Sequence, residues 1–199
     1  MNAIHAMPKN RVSLLLGHAA TRLRQMLPSA TLIITMLLLG FVPDSDAAEP
    51  DHCAVFRDLS DDQITTLVHS YWAGKPEGFG LTLAAIAWRE SMAGEVLINH
   101  ADPSFGPFHA NIRSASVRAK AETTFRQNLV AQRLIDDFDY AAWHALEELK
   151  YWQSQYGEDW QKIWASYNGG WNYRSPDAQD YAKDIRYKVV QLRTCLLVG

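Results

Sequence analysis

Leu81-Thr82-Leu83-Ala84-Ala85-Ile86-Ala87-Trp88-Arg89-Glu90-Ser91 decides how this chain is read. From Leu81 to Trp88 the stretch is apolar on nearly every face at helical period, the mark of a helix buried in a core. Leu83, Ile86 and Ala87 lie seven, four and three residues before Glu90 and so share its face. A carboxyl is therefore expected at the end of a core helix. Burial disfavours the charged form of a carboxyl, which is how a fold makes a general acid that still holds its proton near neutral pH. The plainer alternative is a glutamate in an ordinary last turn, solvated or paired with Arg89.

The ends of the chain point to export. Residues 1–29 carry Lys9, Arg11, Arg22 and Arg24 and no Asp or Glu, and the run from Ala30 to Val42 is apolar. Pro43 breaks that run, and Ser45-Asp46-Ala47 offers small residues where a signal peptidase reads. This order predicts a secretory signal peptide or leader over residues 1–48 and a periplasmic or exported protein; the long basic region leaves an uncleaved amphipathic anchor as the alternative. The 13-residue apolar run falls short of the roughly 20 residues a membrane-spanning helix needs. The leader holds four of the 19 basic and two of the 22 acidic residues, so residues 49–199 carry a net charge of −5 with His neutral. An acidic domain of roughly 150 residues without a basic run argues against nucleic acid or anionic lipid as its partner. Cys53 and Cys195 are the two cysteines and bracket this domain. In an oxidising compartment an even count predicts a structural disulfide between them.

Residues 49–199 read as mainly α throughout. Ser60-Asp61-Asp62-Gln63 is a capping box opening a helix to about Trp72, and Pro76, Gly78 and Gly80 separate it from the apolar helix. Asn99 to Ser114 contains Pro103, Gly106 and Pro107 and lacks a helical period, which predicts a long loop or short hairpin, more often functional than not. Helices are expected near Val117–Lys120, Gln127–Asp136, Tyr140–Gln155, Asp159–Ser166 and Asp177–Leu192. In the Tyr140 helix, Trp143, Leu146, Leu149 and Trp152 form a stripe that assigns both tryptophans to the core. Trp171 and Tyr173, in a segment flanked by Gly and Pro, are expected to be exposed near a site.

Three constellations compete for chemistry. His100, Asp102 and His109 are metal-ligating types, but a Pro-rich loop separates them, whereas a metal helix sets two ligands at i and i+4. No metal is assigned. Ser91 beside an acid invites a nucleophile triad, yet no glycine elbow surrounds it. The third is sugar chemistry on Glu90: all seven tryptophans lie in residues 49–199, and aromatic faces with polar tips suit a glycan groove.

Here the residues carry a resemblance. Glu90-Ser91, then Gly106-Pro107-Phe108-His109, then Ala165-Ser166-Tyr167-Asn168-Gly169-Gly170 resemble the three-part pattern of the soluble lytic transglycosylase domain. That family reads Glu-Ser, Gly-Leu-Met-Gln and Ala-Tyr-Asn-Ala-Gly in the same order. Asp102 to Asn111 also resembles the Asp-Tyr-Gly-x-x-Gln-x-Asn turn of lysozyme-like proteins. The resemblance spans roughly residues 78 to 190 and implies a lysozyme-like fold, no cofactor, and cleavage of the β-1,4 bond between N-acetylmuramic acid and N-acetylglucosamine in peptidoglycan. Glu90 is then the catalytic acid and base, forming a 1,6-anhydro product, and Tyr167 the tyrosine whose hydroxyl bonds that carboxyl. Asn168 supports its turn or contacts sugar, Ser91 binds substrate or fixes the helix end, and Gly106 lets backbone approach the sugar or takes a φ denied to other residues. Tyr181 is similar to a tyrosine near the family's carboxy-terminal end. His109 stands where the family has Gln. It is expected to keep the sugar contact but to make activity fall in mild acid, since histidine charges between roughly pH 5 and 8.

Two other readings stay open: a hydrolytic muramidase with Asp102 as its second carboxylate, and a non-catalytic wall-binding subunit. A domain of this size without a separate wall-binding module suits wall opening for a secretion, conjugation or phage apparatus.

Overall fold

The computed structural model describes residues 53–196, so the expected leader lies outside the described residues. The described chain is mainly helical: α1 Asp61–Gly74, α2 Gly80–Ser91, α3 Ile112–Arg118, α4 Thr124–Asp136, α5 Phe138–Tyr156, α6 Trp160–Gly169 and α7 Pro176–Cys195. Three two-residue strands, β1 Ile98–Asn99, β2 Ser104–Phe105 and β3 Ala110–Asn111, interrupt the helices after α2. Short 3-10 turns cover Ala54–Asp58, Lys75–Glu77 and Gly170–Asn172.

Helix α2 is the axis of the packing. Leu83 through Ala87 have no exposed surface, and α1, α5 and α7 pack around them. Its small residues permit this crowding. A Cβ on Gly80 would lie 2.8 Å from the Tyr71 carbonyl, so α1 and α2 can approach this closely only with glycine there. The capping box starts α1 as expected: Ser60 accepts from the Gln63 amide, and Gln63 Oε1 accepts from the Ser60 amide at 2.9 Å. The Gln63 side chain then donates to the Met92 carbonyl at 2.8 Å, tying the start of α1 to the end of α2.

The segment between α2 and α3 is an antiparallel meander, a short hairpin extended by one strand. Ile98 pairs with Phe105 and Asn99 with Ser104, and then Phe105 with Ala110 and Ser104 with Asn111. Helix α3 starts earlier than its sequence period suggests, because Asn111 accepts from the Arg113 amide and caps it. On α5 the buried residues are Ala141, Ala142, His144, Ala145, Leu146, Leu149 and Trp152. Trp152 is core as expected, but Trp143 is 43 % exposed. One step round the helix from Ala142, it lies on the edge of the buried face, with its ring against His144 (centroids 4.6 Å apart) rather than in the core. No helix among the described residues is long and apolar enough to cross a membrane.

Cys53 and Cys195 form a disulfide with Cα atoms 5.4 Å apart, joining the residue before the first turn to the last residue of α7. The bridge spans 142 positions of sequence, where the loss of unfolded-chain entropy approaches its upper range. Replacing both cysteines by serine is expected to lower the free energy of urea unfolding by about 2–5 kcal/mol. Equal unfolding midpoints for the two proteins would show that the bridge adds no stability.

Candidate functional site

Helix α2 ends by unwinding to the left. Met92, Ala93 and Gly94 take φ of 54°, 59° and 93° in succession. The Ser91 hydroxyl holds this reversal, donating to the Ala87 carbonyl (3.0 Å) and accepting from the Gly94 amide (2.8 Å). Ser91 has no exposed surface. Of the two roles expected of it, the hydroxyl takes the one at the helix end, donating to one backbone group and accepting from another. The chain then turns back, Val96 donating to the Ser91 carbonyl at 2.9 Å. The result is a glutamate whose side chain is 17 % exposed at the lip of a core helix.

The meander brings the second part. Gly106 has φ 80°, and a Cβ there would overlap the Leu134 carbonyl oxygen of α4. The close approach to this helix requires glycine here, and the positive φ is the one expected as denied to other residues. Phe108 is wholly buried and meets Phe138 edge-on, and the His109 amide donates to the Gly106 carbonyl. These anchors hold His109 at φ 43°, a left-handed conformation costing about 1 kcal/mol for a residue with a Cβ. Its Nδ1 faces Glu90 Oε2 at 3.4 Å, and its Nε2 lies 2.8 Å from the Val96 carbonyl. Both ring nitrogens are thus engaged inside the protein, while the residue borders the cleft described below. Burial alone would lower its pKa. The hydrogen bond to Glu90, the bond to the Val96 carbonyl and the Glu90 charge together outweigh burial and hold it above the ordinary histidine value.

Helices α6 and α7 supply two phenols. The Tyr167 hydroxyl donates to the Phe108 carbonyl at 3.0 Å, so it braces the turn that carries His109 instead of bonding the carboxyl as expected. Its ring lies nearly parallel to that of Tyr181, centroids 6.5 Å apart. Burial first, and then the Glu90 charge, push both phenols well above the ordinary tyrosine pKa, so both stay protonated. The Tyr181 hydroxyl makes no hydrogen bond of good geometry; Glu90 acts on it mainly as a nearby charge.

Glu90, His109, Tyr167 and Asn168 border one polar cleft of about 240 Å³, which Asp102 and Asn111 of the meander also line. Tyr181 and Gly106 support its walls without lining it. Trp171 is 65 % exposed, one residue beyond Gly170 on the cleft wall, while Tyr173 is half-buried against Tyr156. Sequence reasoning misses Arg118 and Glu148, an ion pair from α3 and α5 that lines the far side, with Trp152 Nε1 donating to Glu148 at 2.8 Å. The i, i+4 spacing of Glu148 and Trp152 is the one local signal of that wall. It misses His144 as well. Among the described residues no cluster of three or more side chains could hold a metal ion, and His100, Asp102 and His109 do not converge.

No family model matches the chain, and no solved structure matches it. The "Uncharacterized 20.7 kDa protein in vs-regB intergenic region" of Enterobacteria phage T4 is 28% identical over 117 residues, which cover 58% of this chain and 64% of that protein. The match thus spans less than two thirds of that relative.

His144 lines the cleft but is wholly enclosed, with no hydrogen-bond partner on either ring nitrogen. Burial, aided by the charges of Arg118 and Arg133, lowers its pKa to about 4. Between the unfolded value of about 6.5 and the folded one, the unfolded chain binds a proton that the folded one refuses. Its contribution is therefore fully present above the unfolded pKa and is lost as pH falls from about 6.5 to about 4. Urea unfolding of wild type and His144→Leu across this range should give a steeper loss for wild type. Parallel curves would contradict the assignment.

Proposed function

We propose that residues 49–199 form a lysozyme-like domain acting as a peptidoglycan lytic transglycosylase. The observation that carries this is Glu90, a mostly enclosed carboxyl at the end of a core helix, opening on a polar cleft. The order of the Glu90-Ser91, Gly106–His109 and Tyr167-Asn168 segments supports it, as do the two protonated phenols near Glu90.

In this mechanism Glu90 gives a proton to the glycosidic oxygen between N-acetylmuramic acid and N-acetylglucosamine. The departing sugar keeps that proton as a hydroxyl. The Glu90 carboxylate then takes the proton of the muramoyl C6 hydroxyl, whose oxygen bonds C1 and closes the 1,6-anhydro ring. One residue is acid and then base, so the second carboxylate of a hydrolase is not needed. Tyr167 acts through the Phe108 carbonyl, fixing the turn that faces Glu90, and Asn168 offers an exposed amide to a glycan in the cleft. One observation favours a second reading. Asp102 lines the same cleft and accepts from Asn111 Nδ2 at 3.2 Å, a polar setting suited to a carboxylate that activates water.

The setting we assign is an exported protein acting on glycan strands. The signal-like leader and the Cys53–Cys195 bridge favour an oxidising compartment. A relative encoded by a phage favours wall opening in a phage setting over a secretion or conjugation apparatus.

Dye release from labelled peptidoglycan tests both readings. Glu90→Gln should lose about a thousandfold in rate, whereas Asp102→Asn should stay within about threefold of wild type. A loss in Asp102→Asn as deep as in Glu90→Gln favours hydrolysis. Wild-type protein that binds peptidoglycan and releases nothing would overturn the enzyme assignment in favour of a wall-binding subunit.

A further inference from the structure

We propose that Glu90 and His109 share a single proton, which His109 carries while the site is at rest, making His109 the second member of the acid–base pair. The role in turnover rests on the reading of Glu90 as the acid; the shared proton itself rests on geometry. A carbonyl oxygen only accepts, so the 2.8 Å contact with Val96 requires the hydrogen of His109 to sit on Nε2. A neutral imidazole has one N–H, and Nδ1 is then bare. That bare nitrogen faces Glu90 Oε2 at 3.4 Å, where the two side chains are only 7 % and 17 % exposed. Without a proton between them, two lone pairs would oppose each other where little water reaches. With one, either partner donates to the other.

The fold builds this contact from three distant pieces. The left-handed reversal after α2 turns the Val96 carbonyl toward the site, through the Val96 amide bond to Ser91. Gly106 and the buried Phe108 hold His109 in its left-handed conformation, and Tyr167 bonds the Phe108 carbonyl. The raised His109 pKa agrees with the proton resting on the imidazole.

The other groups around the pair leave this charge pattern intact. On the cleft side, Arg118 of α3 is paired with Glu148 of α5, and His144 of α5 is neutral above about pH 4. Asp102 of the meander bonds Asn111, and Tyr167 of α6 and Tyr181 of α7 stay protonated. On the α2 side, Arg89 pairs with Asp184 at 3.4 Å, and Glu95, next to Val96, accepts from Gln63.

In turnover the proton passes from His109 Nδ1 to the Glu90 carboxylate, and from the carboxyl to the glycosidic oxygen as the C1–O bond breaks. Glu90 is again a carboxylate and His109 is neutral. The C6 hydroxyl then returns one proton to the pair as its oxygen bonds C1, so the proton count is restored. Activity should fall on the alkaline side, as pH rises through the raised His109 pKa and the pair empties. The histidine thus governs the alkaline limb, opposite to the acid loss expected from sequence.

Nitrogen-15 NMR of the imidazoles tests the shared proton in wild type and Glu90→Gln, with His109→Gln assigning the signal and amide spectra confirming folding. His109 should titrate above about 6.5 in wild type, be the Nε2–H tautomer when neutral, and drop by about one pH unit or more in Glu90→Gln. An unchanged titration, or a neutral Nδ1–H tautomer, overturns the proposal. In the dye-release assay, the alkaline limb of His109→Gln should move about one pH unit or more toward acid; coincident limbs overturn the role in turnover. The NMR needs no turnover. A protein that cleaves no glycan but shows the Glu90-dependent shift keeps the shared proton while the transglycosylase assignment falls. An active enzyme whose His109 ignores Glu90 does the reverse.

Discussion

A helix that runs through the centre of a small domain must end somewhere, and its last carbonyls and side chains must find partners or water. Helix α2 meets this constraint at Glu90. Its apolar body is enclosed by α1, α5 and α7, so a carboxylate in its middle turns would be buried away from water; only the end is open to a polar group. Ser91 satisfies the Ala87 carbonyl, Gln63 reaches across from α1 to Met92, and three left-handed residues reverse the chain within one turn. The carboxyl is thereby fixed at the boundary between core and cleft, and the segments that follow are arranged around it.

The meander is the second structural commitment. It is too short to be stable alone and depends on Phe108 in the core and on Gly106 beneath α4. Those two anchors are structural, yet they determine where His109 goes. Tyr167 joins the same turn from α6 through one hydrogen bond. Packing and chemistry are therefore joined in a few residues: a change at Gly106 or Phe108 acts on Glu90 by moving its neighbour, without touching the cleft.

The helices are legible because their signals are local. The capping box at Ser60, the all-apolar run of α2 and the stripe on α5 each lie within a few turns of chain, and two cysteines leave one pairing. Trp143 misleads because bulk hydrophobicity outweighs the alanines, which mark the true contact face of α5 by allowing close packing. Glu90, His109, Tyr167 and Asn168 are recognisable as candidates from sequence, and they do border one cleft. Their partners are not legible there. The Val96 carbonyl, the Phe108 carbonyl and the Arg118–Glu148 pair act through contacts between segments remote in sequence, and no periodicity records which backbone oxygen a side chain will meet.

Mass spectrometry of the soluble fragments that the protein releases from purified peptidoglycan tests the central claim most directly. An acid that serves as its own base predicts fragments ending in 1,6-anhydromuramic acid, each lighter by one water than its hydrolytic counterpart. Fragments with ordinary reducing ends would contradict that account and make water, rather than the muramoyl C6 hydroxyl, the nucleophile.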